Sequence, residues 1–308
     1  MSTCDITSGF SLGCRDNSGG IKNLYILSGS IDSITDASEG LIQSISGSGE
    51  MFQFELFRQT SDFTEAISST PENGTVFYEQ SLNATFFKLQ SATRNQVRVL
   101  AKNPDLKIVV ETNNGSQDGV GRYWLLGEEN GVQLLSGTGQ TGTAFGDLNG
   151  YTLTFTGQEP EPASELSGSL NDVFSGITVP GFTLGCRDNS GGIKNLFILS
   201  GSISAVADES EGLINSISGS GEFFQFELFR QTSDFTEAIS STPENGTVFY
   251  EQTVNATFFK LQSATRNQVR VLAKNPDLKI IVETNNGSVD GVGRYWLLGE
   301  ENGVHHRS

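Results

Sequence analysis

The sequence predicts a mainly β protein built from two tandem domains. Short runs of alternating apolar and polar residues are separated by Asn-Gly and Gly-Ser clusters, which is typical of antiparallel strands joined by turns. Residues 10–132 recur as residues 182–304 at a constant offset, and about nine in ten of these positions are identical. Repeats that build solenoids have about 20 to 50 residues, so a repeat of this length indicates a duplicated domain.

The first part of each copy is expected to form strands around a long loop. Residues 21–27 predict a first strand, because the preceding Gly19-Gly20 pair suits a tight turn. Residues 28–49 are polar, are flanked by Gly-Ser pairs and are long enough for a loop with a hairpin of its own. Alternation over residues 52–56 predicts the next strand, and residues 63–67 suggest its partner.

The clearest strand of the copy comes next and leads into its one helix. The alternating apolar positions are Val76, Tyr78, Leu82, Ala84 and Phe86, and Gln80 is the one polar break on that face. Thr93 and Gln96 then form a capping-box pattern, and Val97, Leu100 and Ala101 share one helical face. The helix should end near Asn103, because Pro104 disfavours a helical conformation of the residue before it.

Further strands and loops complete the first copy. Residues 106–110 alternate again, residues 122–126 form an apolar run, and Asn130-Gly131 predicts a tight turn. Val132 and Leu134 continue as a strand, and a Gly/Thr-rich loop is predicted over residues 136–150. The last strand contains Tyr151, Leu153 and Phe155.

These boundaries divide the chain into a first β domain (1–157), a linker (158–181), a second β domain (182–304) and a tail (305–308). The Pro, Glu, Ser and Gly content of residues 158–181 is typical of a linker. The second copy has no counterpart of residues 133–157. Truncation explains this difference best, and the alternative is that another chain supplies the missing strand.

Composition restricts the class of protein. The formal net charge is -17, with 36 acidic and 19 basic residues, which argues against a protein that grips nucleic acid. No run approaches the ~18 apolar residues of a membrane helix, and the first residues lack the features of a signal peptide. We therefore expect a protein made in a cytoplasm, without a membrane anchor. The odd set Cys4, Cys14 and Cys186 argues against a disulfide framework.

No pattern in the sequence assembles a reaction, so we expect no enzyme, no cofactor, no metal and no catalytic residue. Both histidines, His305 and His306, lie in the tail, outside the repeat. Gly137, Gly139 and Gly142 match G-x-G-x-x-G, but no strand-helix-strand unit contains them. Trp124 and its counterpart Trp296 lie on apolar runs, where tryptophan is more often a core or interface residue than a platform for sugars.

Three longer stretches carry a resemblance to a known family. They are CDITSGFSLGCRDNSGGIKNLYI, ENGTVFYEQSLNATFFKLQSATRNQVRVLAKN and TGTAFGDLNGYTLTFTGQEPEPA, and together they span nearly all of residues 1–163. In these stretches the chain resembles virion structural proteins of tailed bacteriophages, in particular the tail tube proteins of phages that infect Bacteroidetes-type bacteria. The second copy shows the first two stretches and lacks the third.

The resemblance implies two tandem β-sandwich or split-barrel domains of tail-tube type, each with one short flanking helix. It also implies a virion protein made in the host bacterial cytoplasm. Such subunits form rings that stack around a DNA-conducting channel and contact other tail proteins, and a chain with two fused domains would form a trimer with pseudo-sixfold symmetry. An acidic channel wall would let DNA pass without binding it.

The resemblance further places the 28–49 segment as a contact between stacked rings. The copies differ most here, since Asp32, Ser33, Ile34, Thr35 and Ala37 become Ser204, Ala205, Val206, Ala207 and Glu209. Either a solvated loop has drifted, or the two copies contact different neighbours. The acidic residues of the segment are the candidate contact residues: Asp32, Asp36, Glu39, Asp208, Glu209 and Glu211.

Two other functions remain open from the sequence. The protein could be another virion component with the same fold, such as a head decoration or tail-completion protein, that forms a discrete ring. The Gly/Ser/Thr-rich strands also fit a surface adhesin or carbohydrate-binding repeat, although the absence of a signal peptide opposes that reading.

Overall fold

The computed structural model describes residues 18–57, 59–70, 72–114, 122–178, 181–182, 190–210, 213–228, 231–242, 247–258, 270, 272, 274–275, 278–285 and 294–299. Of these residues, 67% lie in strands and 8% in helices, which confirms the mainly β prediction. The three cysteines, the two histidines and Glu211 lie outside the described residues.

The elements follow the chain in three groups. The first copy contains β1 (Ile21–Ser38), β2 (Leu41–Glu55), β3 (Asp62–Thr70), β4 (Thr75–Phe87), α1 (Ser91–Lys102), β5 (Lys107–Thr112), β6 (Tyr123–Leu126), β7 (Gln133–Gln140) and β8 (Gly150–Glu159). The segment between the copies contains β9 (Ser164–Leu166), α2 (Leu170–Val173), β10 (Phe174–Thr178) and β11 (Gly181–Phe182). The second copy contains β12 (Ile193–Ser210), β13 (Leu213–Glu227), β14 (Asp234–Thr242), β15 (Thr247–Asn255), β16 (Lys279–Thr284) and β17 (Arg294–Leu298).

Five strands form a closed barrel, four from the first copy and β9 from the segment between the copies. They pair in the order β1, β5, β6, β9, β2 and back to β1. Each strand contributes one side chain or more to a single buried cluster, for example Tyr25, Ile42, Val109, Leu125 and Leu166. Because successive strand residues point to opposite faces, the alternate residues of β1 and β5 are free to pack outside the barrel.

A six-stranded antiparallel sheet packs against this barrel and runs through both copies. Its order is β15, β14, β7, β8, β4 and β3. Leu24 and Ile108 of the barrel share one buried cluster with Leu82, Leu153 and Phe155 of the sheet. The buried face of α1, which consists of Thr93, Val97, Leu100 and Ala101, also borders this cluster. The apolar alternation predicted for β4 and β8 is therefore the core face of the sheet.

The second copy repeats part of the barrel as a four-stranded sheet in the order β13, β12, β16, β17. Its pairing register copies that of the first, since Asn23 lies opposite Glu55 and Asn195 lies opposite Glu227. Among the described residues, no strand takes the place of β9 beside β13 and β17.

The segment 28–49 is not a loop, although the hairpin expected within it is present. β1 and β2 continue through it as one long hairpin, with Gly29 opposite Gly49 and Ser38 opposite Leu41. Serine hydroxyls bond across the strands, at 3.1 Å between Ser30 and Ser48. A polar strand pair of this kind lacks the apolar alternation that marks a half-buried strand, which is why the pattern suggested a loop.

The predicted partner of residues 52–56 was wrong. β3 pairs with β4 in the six-stranded sheet, whereas β2 pairs with β1 in the barrel. The capping box was also wrong: α1 begins at Ser91 after Gln90, without a side-chain cap, and Thr93 lies on its buried face. The predicted helix end is confirmed, because Asn103 follows the last helical residue.

Residues 136–140 are strand rather than loop, since β7 extends to Gln140. Residues 158–181, predicted as a linker, contain β9, α2 and β10. β9 closes the barrel between β6 and β2, and β10 and β11 pair in parallel with β2. The buried Glu159 at the end of β8 accepts N–H bonds from Glu129, Asn130 and Gly131 at 3.0, 2.9 and 3.1 Å. The division into two domains stays a prediction.

Candidate assembly interface

The copies meet through a strand pair, β7 with β14. The two strands are antiparallel, with Ile239 opposite Gly137, Glu237 opposite Gly139 and Thr236 opposite Gln140. Their backbone hydrogen bonds join four strands of the first copy to two strands of the second in one sheet. The first copy contributes β3, β4, β8 and β7, and the second contributes β14 and β15. We call this contact, together with residues 141–149 and the residues they touch, the copy junction.

Glycines in β7 make room for the large side chains of the copy junction. A Cβ atom on Gly137 would lie 2.5 Å from Cδ2 of Leu153 and 3.6 Å from Cδ1 of Ile239. A Cβ atom on Gly139 would lie 2.6 Å from the ring of Tyr151. Glycine in a strand interior often marks such a close approach. Ile239 is consequently only 1% exposed.

Thr141 adds hydrogen bonds to the second copy just beyond the last residue pair of β7 and β14. Its N–H donates to the carbonyl of Phe235 at 2.9 Å, and its hydroxyl accepts the N–H of Phe235 at 3.0 Å. Thr141 is fully buried and Phe235 is 3% exposed. This end of the junction thus satisfies its buried polar groups and also buries an aromatic ring.

The loop after β7 covers the glycine pair that opens β12. The N–H of Gly192 donates to the carbonyl of Thr141 at 2.9 Å, and a Cβ atom on Gly191 would lie only 2.3 Å from the carbonyl oxygen of Ala144. The Asp147 carboxylate accepts N–H bonds from Ala144 and Thr143 at 2.7 and 2.9 Å, and these bonds hold its pKa below the usual value. The carboxylate therefore shapes the loop that reaches the second copy.

A charged contact joins α1 to the second copy. Nη2 of Arg94 lies 3.2 Å from the carboxylate of Glu237, and its guanidinium lies 5.7 Å from the ring centre of Trp296. The amide of Gln252 also donates to Glu237 at 2.8 Å. The Glu237 side chain is 3% exposed, so removal of Arg94 would leave a buried carboxylate poorly compensated. Trp296 is thus an interface residue, the more frequent of the two roles considered for it.

The predicted contact residues lie elsewhere, on the two long hairpins. Asp32 and Asp36 are exposed on β1, Glu39 is exposed in the turn before β2, and Asp208 is exposed on β12. Glu209 also belongs to β12. The structure does not bring these residues into the copy junction, and their role between rings stays a prediction.

The two hairpins do have different neighbours within the chain. β10 pairs with residues 45–50 of β2, and Ile45 and Met51 are buried there. The equivalent strand β13 leaves Phe223, at the position of Met51, 44% exposed. The divergence between the copies coincides with this difference in surroundings.

Sequence reasoning missed the strand that builds the junction. Serine, threonine and glutamine alternate with Gly137 and Gly139 over residues 136–140, and this period of two was the available signal. The two glycines predict a loop for these residues instead, because glycine is depleted in strands.

In the described part of the chain, no group of three or more His, Cys, Asp or Glu side chains could hold a metal ion. The described helices are all too short or too polar to span a bilayer. Comparison of the chain with protein-family models, with curated proteins and with solved structures found no match.

Proposed function

We propose that the protein is a structural subunit of a bacteriophage tail tube, whose rings stack around a channel that conducts DNA. The observation that carries the proposal is the copy junction, in which one copy of the repeat extends the sheet of the next. The resemblance of residues 1–163 to tail tube proteins supplies the class of assembly.

The junction is heterologous, because it joins β7, which follows the first repeat and has no counterpart in the second, to a strand of the second repeat. β7 offers one edge, and β14, the counterpart of β3, offers the other. Contacts of this kind generate a closed ring when the rotation between units closes, and a filament when it does not. A chain with two repeats would complete a ring of six repeats as a trimer.

The charge of the chain supports passage of DNA rather than its capture. The excess of 17 negative charges gives few basic residues to neutralise phosphates and release their counterions. An acidic lumen would repel the phosphate backbone and keep the DNA free to slide. Contacts between successive rings are assigned to the acidic hairpin residues Asp32, Asp36, Glu39, Asp208, Glu209 and Glu211.

Negative-stain electron microscopy of the purified protein, over a range of concentrations and with a peptide of residues 131–159 that supplies β7 and β8, tests the proposal. We expect hollow rings that show three subunits and stack into open tubes at high concentration. Rings that never stack would favour a head decoration or tail-completion protein instead. Single particles of monomer size at every concentration, also in the presence of a 131–159 peptide, would refute the proposal.

A further inference from the structure

We propose that the outer edge of β3 is a second docking edge, and that it takes a β7-type strand from another copy of this repeat. The register would be that of β7 with β14, so that Ile67 lies opposite Gly137 of the incoming strand and Glu65 lies opposite Gly139. The inference rests on the proposed self-association and names the surface that mediates it.

β3 and β14 are the same strand in two environments. Both have the sequence DFTEAISST, and both pair on one side with the next strand in the same register. The other edge of β14 is paired with β7. The corresponding edge of β3 ends the sheet, without a strand beside it among the described residues. An open edge of this kind favours pairing with another chain.

Identical side chains of β3 and β14 differ in their exposure to solvent. Ile67 is 69% exposed, whereas its counterpart Ile239 is 1% exposed beneath β7. Phe63 is partly buried, whereas Phe235 is 3% exposed. An edge strand with an exposed isoleucine invites aggregation unless a partner covers it. The covered state of the same sequence, β14, shows which partner fits.

The glycine turn before β1 has open space that its counterpart before β12 lacks. A Cβ atom on Gly19 would meet nothing within 4 Å, whereas one on Gly191 would collide with the Ala144 carbonyl at 2.3 Å. In the second copy this turn is filled by the loop that follows β7. The open space at Gly19 therefore lies where the same loop of an incoming copy would sit.

The buried carboxylate of the copy junction, Glu237, has a counterpart on β3, Glu65. Glu237 binds Arg94 of the neighbouring copy, whereas its counterpart Glu65 accepts the N–H of Ala163 at 2.8 Å. Docking would bring the Arg94-type side chain of the incoming copy to Glu65 and over the ring of Trp124. Glu65 would then carry the same charged contact as Glu237.

The incoming strand must belong to a repeat whose own β7 edge is uncovered, because β7 of this chain already pairs with β14. The opposite end of the sheet shows a matching gap. β4 pairs with β8, but β15, its counterpart, has no strand on that side among the described residues. A β7–β8 hairpin therefore fits both ends of the sheet, with its β8 edge on β15 and its β7 edge on β3.

This geometry suggests a test with the full chain and a synthetic peptide of residues 131–159, which carries β7 and β8. Sedimentation velocity would follow the protein with increasing peptide, and a fluorescent label would report peptide binding. We expect the peptide to join chains head to tail, so that single chains convert into trimers or larger species with one peptide per chain.

The variant Ile67→Lys should still bind one peptide through β15 but should resist assembly, with at least about a tenfold rise in the protein concentration required. Its melting temperature should match that of the wild type, because residue 67 is mostly exposed. Gly19→Ala is a second variant that blocks the same surface at the loop. Val99→Lys, at an exposed position of α1, is the matched control and should assemble normally.

Three results would overturn the inference. The peptide could fail to bind, it could bind without joining chains, or Ile67→Lys could assemble as readily as Val99→Lys. Other results decide the tail tube proposal. Rings and tubes that form regardless of Ile67→Lys would leave it standing without the β3 edge. Assembly through β3 into species that microscopy never shows as rings would retain the edge and reject the tube.

Discussion

Ile67 and Ile239 occupy equivalent positions in the two copies, and replacing each by alanine should lower the free energy of unfolding by different amounts. Ile239 packs beneath β7 and is 1% exposed, whereas Ile67 is 69% exposed on an edge strand of identical sequence. Replacement of a fully buried isoleucine by alanine costs about 2 to 5 kcal/mol of stability through lost transfer free energy and the cavity that remains. An exposed position normally changes stability by less than about 0.5 kcal/mol.

We therefore expect Ile239→Ala to lower the free energy of unfolding by about 2 to 3 kcal/mol more than Ile67→Ala. Because the local sequences are identical, differences in strand propensity cancel between the two variants. Urea unfolding followed by tryptophan fluorescence is the assay, since Trp296 lies at the copy junction and reports its opening. Equal costs for the two variants, or a larger cost at Ile67, would refute the assignment of β7 to β14.

The remaining predictions concern the glycines and one carboxylate. Gly191→Ala should destabilise the protein by about 1 to 3 kcal/mol through its clash with the loop, whereas Gly19→Ala should be neutral, as urea unfolding would show. Gly137→Val should open the junction at similar cost and increase the fluorescence change of Trp296 at low urea; an unchanged signal would contradict the packing. Burial opposes ionisation of Glu283, but hydrogen bonds from Lys194 and Asn195 outweigh it and lower its pKa. Its contribution to stability is present above pH 4.5 and is lost as the pH falls through the lower folded pKa, so Glu283→Gln should flatten the acid branch of the melting curve; an unchanged branch would contradict this.

The sequence predicted the elements whose side chains alternate on an apolar face. β4 and β8 have this pattern because one face of each packs against the barrel, and Leu82 and Leu153 are fully buried there. The end of α1 was also predictable, since Pro104 acts locally. Patterns of this kind depend on the burial of the strand's own side chains, which the sequence records directly.

Elements built on polar or glycine-rich sequence were not predictable in this way. β7 places Gly137 and Gly139 where neighbouring side chains need space, so its strand character depends on partners distant in sequence. β9 has only three residues and exists because β6 and β2 leave room between them. Composition alone therefore suggested a loop and a linker.

The copy junction was beyond prediction for a more general reason. β3 and β14 have the same sequence, yet β14 is paired on both edges and β3 on one. Identical residues cannot encode different partners, so the difference comes from which neighbour the chain connectivity supplies. The duplication itself was visible in the sequence, but which strand edges meet was not.

The most direct test of the account is the solvent exposure of Ile67 and Ile239 in solution. Protein labelled at isoleucine methyl groups would be studied by NMR with a soluble paramagnetic chelate, and Ile67→Val and Ile239→Val would assign the two signals. The account predicts strong broadening of the Ile67 methyl signal and protection of the Ile239 signal. Equal broadening of both signals would show that β7 does not cover β14, and it would contradict the copy junction and the docking edge derived from it.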